Sequence, residues 1–176
     1  MVALRATQKV LRHLPAPGPE PGPPDTALGD WFVNRLVVDR RPLLLLVSST
    51  SLLAILEPAR DVRGLPERLE PLVALRLFRL GVPPGWIEAE VAALAPVAVA
   101  KTNSRSVLGT MNDFAHLIPY MLPVDGWGDA TLRDAEARLA HTPCRSSAAI
   151  AKGFFPDILA AQRLGERWGS PGPGRS

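Results

Sequence analysis

A run of alternating prolines near the start of the chain is the strongest constraint on how this sequence folds. Six prolines lie within residues 15–27, and glycines separate several of them. Proline lacks a backbone N–H group and has a fixed φ angle, so this stretch favours an extended polyproline II conformation over a helix or a central strand. The sequence therefore predicts a semi-rigid spacer between a short opening segment and the rest of the chain.

Length and composition fit a single folded domain. The chain has 176 residues, of which 47% are hydrophobic and 21% are charged, and this is enough for one core of ordinary size but not for two. We expect one α+β domain over residues 1–168, interrupted by the spacer at residues 15–27. Residues 169–176 are expected to form a disordered tail. The sequence contains no internal repeat.

The longest apolar runs bear on whether the chain enters a membrane. Residues 43–47 and 91–100 form these runs, and both are much shorter than the roughly 20 residues that a membrane-spanning helix needs. The opening residues include Arg5 and Lys9 and lack the apolar stretch of a secretory signal. A single cysteine, Cys144, cannot form an internal disulfide. We therefore expect a cytoplasmic protein that does not enter a membrane.

The charge balance says little about the partner. The net charge is +3, and almost all of the basic residues are arginines. A GC-rich coding genome explains such an arginine-biased composition more simply than a nucleic acid partner does. No block of five like charges favours the nucleic acid interpretation over this one.

Apolar patterning and turn signals predict a small mixed β-sheet of about four strands. The predicted strands are residues 1–6, 31–38, 43–47 and 97–101, with the second and third joined as a hairpin through residues 39–42. The predicted helices lie in residues 8–14, 51–56, 60–94, 105–117, 132–140 and 154–164, and the third of these ranges holds more than one helix, with a break at residues 81–84. This order favours helices packed mainly on one face of the sheet over a repeating βαβ series. The predicted fold class is therefore α+β.

Residues that commonly build metal or catalytic sites are sparse. Three histidines and one cysteine provide a single pair at close spacing, His141 and Cys144, and one pair is not a metal site. Glycine-rich phosphate-loop motifs are missing from the sequence. Asp113 and His116 lie three residues apart without a third group to orient them, so neither is a convincing general base. We predict no catalytic residue, no metal and no cofactor, and we favour binding over catalysis.

The most distinctive polar segment is residues 101–114. On a helix, one side of this segment would be polar and locally flat, because it carries Arg105, Gly109, Asn112 and His116. A partner could lie across that side. The structural alternative is that Asn103 or Ser104 caps the helix, that Asn112 and Asp113 bond to nearby backbone, and that Gly109 permits close helix packing.

Three threonines, Thr7, Thr50 and Thr102, each follow a predicted strand and begin a predicted helix. If the three strands are parallel, the helix N-termini meet at one end of the sheet, where free N–H groups and the helix dipoles favour an anion. Lys9 and Arg105 lie close to two of these helix starts. Capping alone explains hydroxyl residues at helix starts equally well. A phosphate or carboxylate site at the sheet end is thus one of two interpretations.

Four segments together resemble a known family. They are residues 5–11 (RATQKVL), 29–32 (GDWF), 39–41 (DRR) and 103–113 (NSRSVLGTMND), the last being the most specific. The chain resembles an uncharacterised bacterial domain family of unknown function over about residues 1–120. The proline-rich insert departs from the shorter connection expected there. The resemblance implies an association with plasmid- or transposon-borne proteins, and it implies no particular activity.

Two functional hypotheses follow, and they differ in the ligand. The favoured one is a binding module for a protein partner or nucleic acid, and an accessory protein that masks another protein cannot be separated from it by sequence. The alternative is a small enzyme or sensor that holds a phosphorylated or acidic small molecule at the sheet end. The residues expected at the binding site are Thr7, Lys9, Arg40, Arg41, Thr50, Asn103, Arg105, Asn112 and Asp113.

Three side chains carry specific expectations about their surroundings. Trp31 opens an apolar strand and is expected to be buried, whereas Trp168 adjoins the tail and is expected to be exposed. Arg105 would stand at the positive end of a helix dipole, which is unfavourable for a cation. We therefore expect it to pair with an internal carboxylate such as Asp113 or to hold an external anion.

Overall fold

The computed structural model describes residues 1–144 and 153–169. Its strands are Val2–Ala6 (β1), Trp31–Val38 (β2), Arg41–Ser48 (β3), Ala54–Pro58 (β4) and Val97–Lys101 (β5). Its α-helices are Gln8–Leu11 (α1), Leu65–Arg79 (α2), Pro84–Leu94 (α3), Arg105–Met121 (α4), Asp129–Ala140 (α5) and Pro156–Trp168 (α6). Residues 170–176, which make up nearly all of the expected tail, lie outside the described residues. Among the helices of the described segments, none has both the length and the apolar character to cross a bilayer.

The five strands form one mixed sheet in the order β4-β3-β2-β1-β5. Strand β1 is parallel to both β2 and β5, whereas β3 runs antiparallel to its two neighbours, β2 and β4. The expected hairpin is present, and its two turn residues, Asp39 and Arg40, have φ angles of 52° and 63°. Two left-handed residues give the turn the twist that a tight hairpin needs. The α+β class is confirmed, with one strand more than expected.

The additional strand is β4, where the sequence pattern predicted a helix over residues 51–56. That prediction was wrong because short apolar runs have no periodicity that separates a strand from a helix. Ile55 pairs with Leu46 of β3 and faces one core, whereas Leu56 faces the other. A strand buried on both faces is apolar at consecutive positions, and this is the pattern that misled the prediction.

Helices cover both faces of the sheet rather than mainly one. The first face carries Leu4, Trp31 and Leu44 and packs against α1, α2, α3 and α6, whereas the second face carries Phe32 and Leu45 and packs against α4 and α5. The sequence signal for two covered faces is the consecutive apolar run of β3, all of which is buried. An apolar residue at every position of a strand requires cover on both sides.

Side chains from α2 and α5 close the outer edge of β4. Glu136 accepts a hydrogen bond from the Leu56 N–H at 3.0 Å, and Arg133 donates to the Leu56 carbonyl at 2.8 Å. Arg76 donates from Nε to the Ala54 carbonyl at 2.9 Å. Burial lowers the pKa of Arg76 and raises the pKa of Glu136, with each charge partly offsetting the other. These bonds replace the partners that a further strand would supply.

The proline-rich segment forms no helix or strand, as its composition predicts. It is nevertheless held at several points. Glu20 pairs with the buried guanidinium of Arg5 at 2.6 Å, and the backbone N–H groups of Ala27 and Leu28 donate to the buried carboxylate of Glu90 at 2.8 and 3.0 Å. The spacer therefore lies along the domain, although its prolines are mostly exposed.

Two local expectations differ from the structure, and one agrees with it. Trp31 is fully buried, as expected. Trp168 is half-buried instead of exposed, because its indole N–H donates to Glu90 at 2.7 Å. The helix predicted over residues 105–117 continues to Met121, with Pro119 inside it. Proline removes only one helical hydrogen bond there, and the buried Ile118 keeps that turn packed on the second face.

Candidate functional site

The strand directions decide which of the expected site residues share an end of the sheet. Strands β1, β2, β4 and β5 finish at the same end, which we call the carboxyl end, whereas β3 finishes at the other because Ser48 pairs with Trp31. Thr7 and Asn103 therefore lie at the carboxyl end, but Thr50 does not. Thr50 begins no helix, and its hydroxyl donates to the Ala27 carbonyl at 3.0 Å. The three threonine-led segments therefore do not meet at one end of the sheet, as they would if their strands were all parallel.

The residues around α1 have structural partners or face solvent. The Thr7 hydroxyl donates to the Asn34 side-chain oxygen at 2.8 Å instead of capping the helix. Helix α1 is only four residues long, so it offers little dipole. Lys9 is exposed and forms no ion pair within the described parts of the chain.

The two hairpin arginines differ in their surroundings. Arg40 is exposed at the turn. Arg41 stacks on the Trp127 ring at 3.8 Å from its centroid and donates to the Trp127 carbonyl. The same indole donates to the Val38 carbonyl at 3.1 Å. Arg41 therefore fixes the loop before α5 onto the hairpin, which is a structural role.

Helix α4 exposes the polar side that the sequence indicated. Ser104, not Asn103, caps the helix, because its hydroxyl accepts a bond from the Val107 N–H at 3.2 Å. Gly109 has open space where a side chain would lie, so it is not there for close helix packing. The exposed residues of this side are Arg105, Gly109, Asn112 and His116. Its role in binding stays a prediction.

Neither Arg105 nor Asn112 has a side-chain partner among residues 1–144 and 153–169. Arg105 is exposed and does not pair with Asp113, which lies two helical turns away. The only contact at Asn112 is through its backbone carbonyl, which bonds His116 Nδ1 at 2.7 Å. Because α4 and α1 pack on opposite faces of the sheet, Arg105 and Lys9 do not form one continuous surface.

Asp113 lies beside the buried thiol of Cys144. Burial, with a smaller contribution from the Asp113 charge, raises the pKa of Cys144 to about 11. A thiol with this pKa is almost fully protonated at neutral pH, so it is a poor nucleophile. Across the described residues, no three His, Cys, Asp or Glu side chains are grouped so as to hold a metal ion.

A basic cleft opens at the carboxyl end of the sheet, on the first face. It has a volume of about 570 Å³ and lies between α1 and the loop that follows β4. Its lining residues are Arg12, His13, Arg35, Ala59, Asp61, Val62 and Arg63. The cleft therefore combines three arginines and one histidine with a single carboxylate.

Three separate elements supply the arginines of this cleft. Arg12 is the residue at which α1 ends, Arg35 lies on β2 in line with Trp31 and Val33, and Arg63 lies in a one-turn 3-10 helix after β4. None of the three guanidinium groups has a hydrogen bond or an ion pair with a described residue. Arginine stays charged at all physiological pH values. The cleft therefore holds three positive charges, and no described carboxylate pairs with any of the three arginines.

The wall of the cleft that carries Asp61 is held in a fixed conformation. Asp61 has a left-handed backbone with φ 45°, and its carboxylate accepts a bond from the Gly64 N–H at 3.2 Å. A Cβ atom at Gly64 would lie 2.4 Å from that carboxylate, so a larger residue there would displace the Asp61 side chain from this bond. Arg68 donates to the carbonyls of Arg60 and Asp61 at 2.8 and 2.9 Å. The only acidic lining residue is therefore engaged with its own loop.

Three guanidinium groups around one cleft are suited to bind phosphate or carboxylate, because a guanidinium donates two parallel hydrogen bonds to such groups. The sequence pattern did not identify Arg12, Arg35 or Arg63. Arg35 carried a usable signal, because a charged residue there interrupts the alternation of apolar residues on an inward-facing side of β2. Arg12 and Arg63 carried none, since their proximity depends on how β1 and β4 are placed in the sheet.

Comparison with known proteins gives a family but no activity. No curated protein sequence matches the chain. A family model described as Domain of unknown function (DUF6933) matches residues 3–157, which include β2 to β5, all of β1 except Val2, and both walls of the basic cleft. The chain belongs to this family, whose function is unknown.

Proposed function

We propose that this domain is a binding module that takes a phosphate or carboxylate group of its ligand in the basic cleft. The observation that supports the proposal is the position of Arg12, Arg35 and Arg63 around one concavity. Like charges gathered in one cleft repel each other, and an anion between them relieves the repulsion. An unpaired arginine cluster is typical of sites that recognise anionic groups.

The size of the cleft favours a compact ligand. A volume of about 570 Å³ lies within the range of small-molecule sites, and it holds one or two anionic groups with their attached atoms. The lining has no tryptophan, tyrosine or phenylalanine on which nucleic acid bases would stack. We therefore favour a phosphorylated or acidic small molecule, at the sheet end, over an extended nucleic acid strand.

The chemistry of the lining favours binding without catalysis. Its one histidine, His13, is exposed and has no described carboxylate within bonding distance to orient it. The lining contains no serine, cysteine or lysine that could act as a nucleophile. A sensor or carrier of the anion requires only the arginines.

The test is stabilisation of the full chain by a panel of anions, measured by thermal shift and titration calorimetry. The panel contains inorganic phosphate, citrate, a nucleoside triphosphate and a single-stranded oligonucleotide. A ligand that binds only the folded state raises the melting temperature in proportion to RT ln(1 + [L]/Kd). We expect at least one compact anion to do so, and we expect the triple variant Arg12→Ala, Arg35→Ala, Arg63→Ala to lose that response.

The matched control is a second triple variant that removes three exposed basic residues outside the cleft: Lys9→Ala, Arg40→Ala and Arg105→Ala. It carries the same change in net charge, so any general electrostatic effect would be equal in the two variants. We expect the control to keep the wild-type response. Equal loss in both variants, or a response to the oligonucleotide alone that only the control loses, would contradict the cleft and favour the surface of α4.

A further inference from the structure

The two edges of the sheet are finished in different ways. At β4, buried side chains from Arg76, Arg133 and Glu136 bond the outward backbone groups. At β5, the only described group that reaches an outward backbone atom is Arg5, which donates to the Lys101 carbonyl at 3.1 Å. The edge formed by β5 is therefore open, although the rest of the sheet is covered.

The backbone pattern shows which groups of β5 point outward. The Val2 N–H donates to the Pro96 carbonyl at 3.2 Å, and in a parallel ladder the bonded residues then alternate. Ala98 and Ala100 consequently bond to β1. The N–H and C=O groups of Val97, Val99 and Lys101 face away from the sheet.

Apart from its short length and its terminal lysine, this edge lacks the features that usually prevent one strand from pairing with another. Strand β5 has the sequence VAVAK, with no proline, no bulge and no charge before its last residue. Protected edges carry inward charges, prolines or a covering element. The backbone groups at the β4 edge are bonded by side chains, whereas those at the apolar β5 edge are mostly free. This difference indicates that β5 has a partner strand.

We propose that β5 pairs antiparallel with β5 of a second copy of this chain, with a two-fold axis at Val99. Val99 then exchanges both backbone hydrogen bonds with Val99 of the second copy. Val97 pairs in the same way with Lys101 of the second copy, whose carbonyl has two lone pairs and would accept from both Arg5 and the Val97 N–H; the reverse pair is equivalent by symmetry. The two five-stranded sheets become one continuous sheet.

Charge complementarity favours a second copy over an unrelated strand. The side chains of Val97, Val99 and Lys101 lie on the first face, because their β1 partners Val2, Leu4 and Ala6 do. A groove of about 290 Å³ adjoins Val97 there, and α2 contributes Glu67 and Glu70 to its lining. Neither carboxylate has an ion pair with a described residue.

The antiparallel register brings Lys101 of the second copy opposite Val97, beside Glu67 and Glu70. The same contact forms at the other end of the paired strands, so each copy supplies one lysine and receives one. A parallel pairing would place Lys101 beside Lys101 of the second copy. The positions of the charges at the two ends of β5 therefore match an isologous, antiparallel dimer.

Sedimentation equilibrium of the full chain tests this proposal. The wild type is expected to dimerise, and Val99→Pro is expected to raise the dissociation constant at least about tenfold. Proline at Val99 removes an N–H group that faces outward and none of the bonds to β1, so the monomer should keep its circular dichroism spectrum. Val99→Thr retains the N–H group and is the matched control, expected to dimerise like the wild type.

Charge exchange gives an independent measurement should the proline variant fail to fold. Lys101→Glu alone and the pair Glu67→Lys, Glu70→Lys alone are each expected to be monomeric, because like charges then oppose each other across the interface. Mixing the two variants should restore a dimer that contains one copy of each. A monomeric wild type, a dimer that survives Val99→Pro in a folded protein, or mixtures that stay monomeric would overturn the proposal.

Discussion

The buried charges at the β4 edge lead to a prediction in which a second substitution restores stability. Arg76 and Glu136 are 4% and 1% exposed. Replacing Glu136 by leucine removes the carboxylate that offsets the Arg76 charge and leaves that guanidinium near Arg79 and Arg133. The Glu136 carboxylate forms ion pairs with Arg79 and Arg133 and acts on Arg76 through its charge alone. Leaving a buried charge uncompensated typically costs about 3–5 kcal/mol of unfolding free energy. We expect Glu136→Leu to lower the free energy of unfolding by an amount in this range.

The double variant Arg76→Met, Glu136→Leu removes the uncompensated charge as well. What remains is the loss of partners for the Leu56 N–H and the Ala54 carbonyl, at about 1–3 kcal/mol for each group. Replacing buried groups of opposite charge together with apolar side chains of similar volume is often close to neutral. We therefore expect the double variant to be more stable than Glu136→Leu by at least about 1 kcal/mol.

Urea unfolding followed by far-UV circular dichroism measures these free energies. Glu57→Leu is the control, because Glu57 pairs with Arg133 at 2.9 Å but both side chains are about one-fifth exposed, at 21% and 22%. A partly solvated pair contributes about 0–1 kcal/mol. If the double variant is no more stable than Glu136→Leu, the uncompensated charge on Arg76 is not the source of the loss, and the reasoning fails.

Two further predictions concern single side chains. Cys144, with its pKa raised to about 11, should react with iodoacetamide at pH 8 more than tenfold slower in the folded chain than in urea. The reaction rate of the folded chain should rise as the pH approaches 11. Equal rates at pH 8 would show that the thiol is accessible and that its pKa is not raised. Asp30→Ala should lower the free energy of unfolding by about 3 kcal/mol or more, because it leaves the buried charge of Arg5 partly uncompensated. Glu20→Ala should lower it by under about 1 kcal/mol, because Glu20 is 65% exposed. Thermal unfolding of the two variants side by side checks the difference, and a larger loss for Glu20→Ala would mean that the spacer contributes more to the core than its exposure indicates.

Four of the five strands could be predicted because each has both an apolar pattern and a boundary signal. The hairpin of β2 and β3 is the clearest case, since residues 39–42 carry turn chemistry between two apolar runs. Strand β4 could not be predicted, because its apolar residues are consecutive and no turn signal separates them from the serines and threonine before it. Only pairing with β3 distinguishes it from a helix.

For the expected binding residues too, some features could be predicted from the local sequence and others could not. The polar side of α4 could be read from helical spacing, and its exposure is as predicted. The proximity of Arg12, Arg35 and Arg63 could not be read, because these residues are distant in sequence and belong to elements that meet only in the folded sheet. Thr50 was misplaced for the same reason, since the direction of β3 is a property of the sheet and not of its residues.

The sequence by itself determined those features that depend on local backbone energetics. Proline chemistry excludes regular structure from residues 15–27, and Ser104 caps α4 through a bond three residues away. The tertiary structure decided which faces are covered, how the β4 edge is closed and where the basic cleft lies. These features depend on strand order and direction, which are set by the burial of apolar side chains and the pairing of backbone groups distant in sequence.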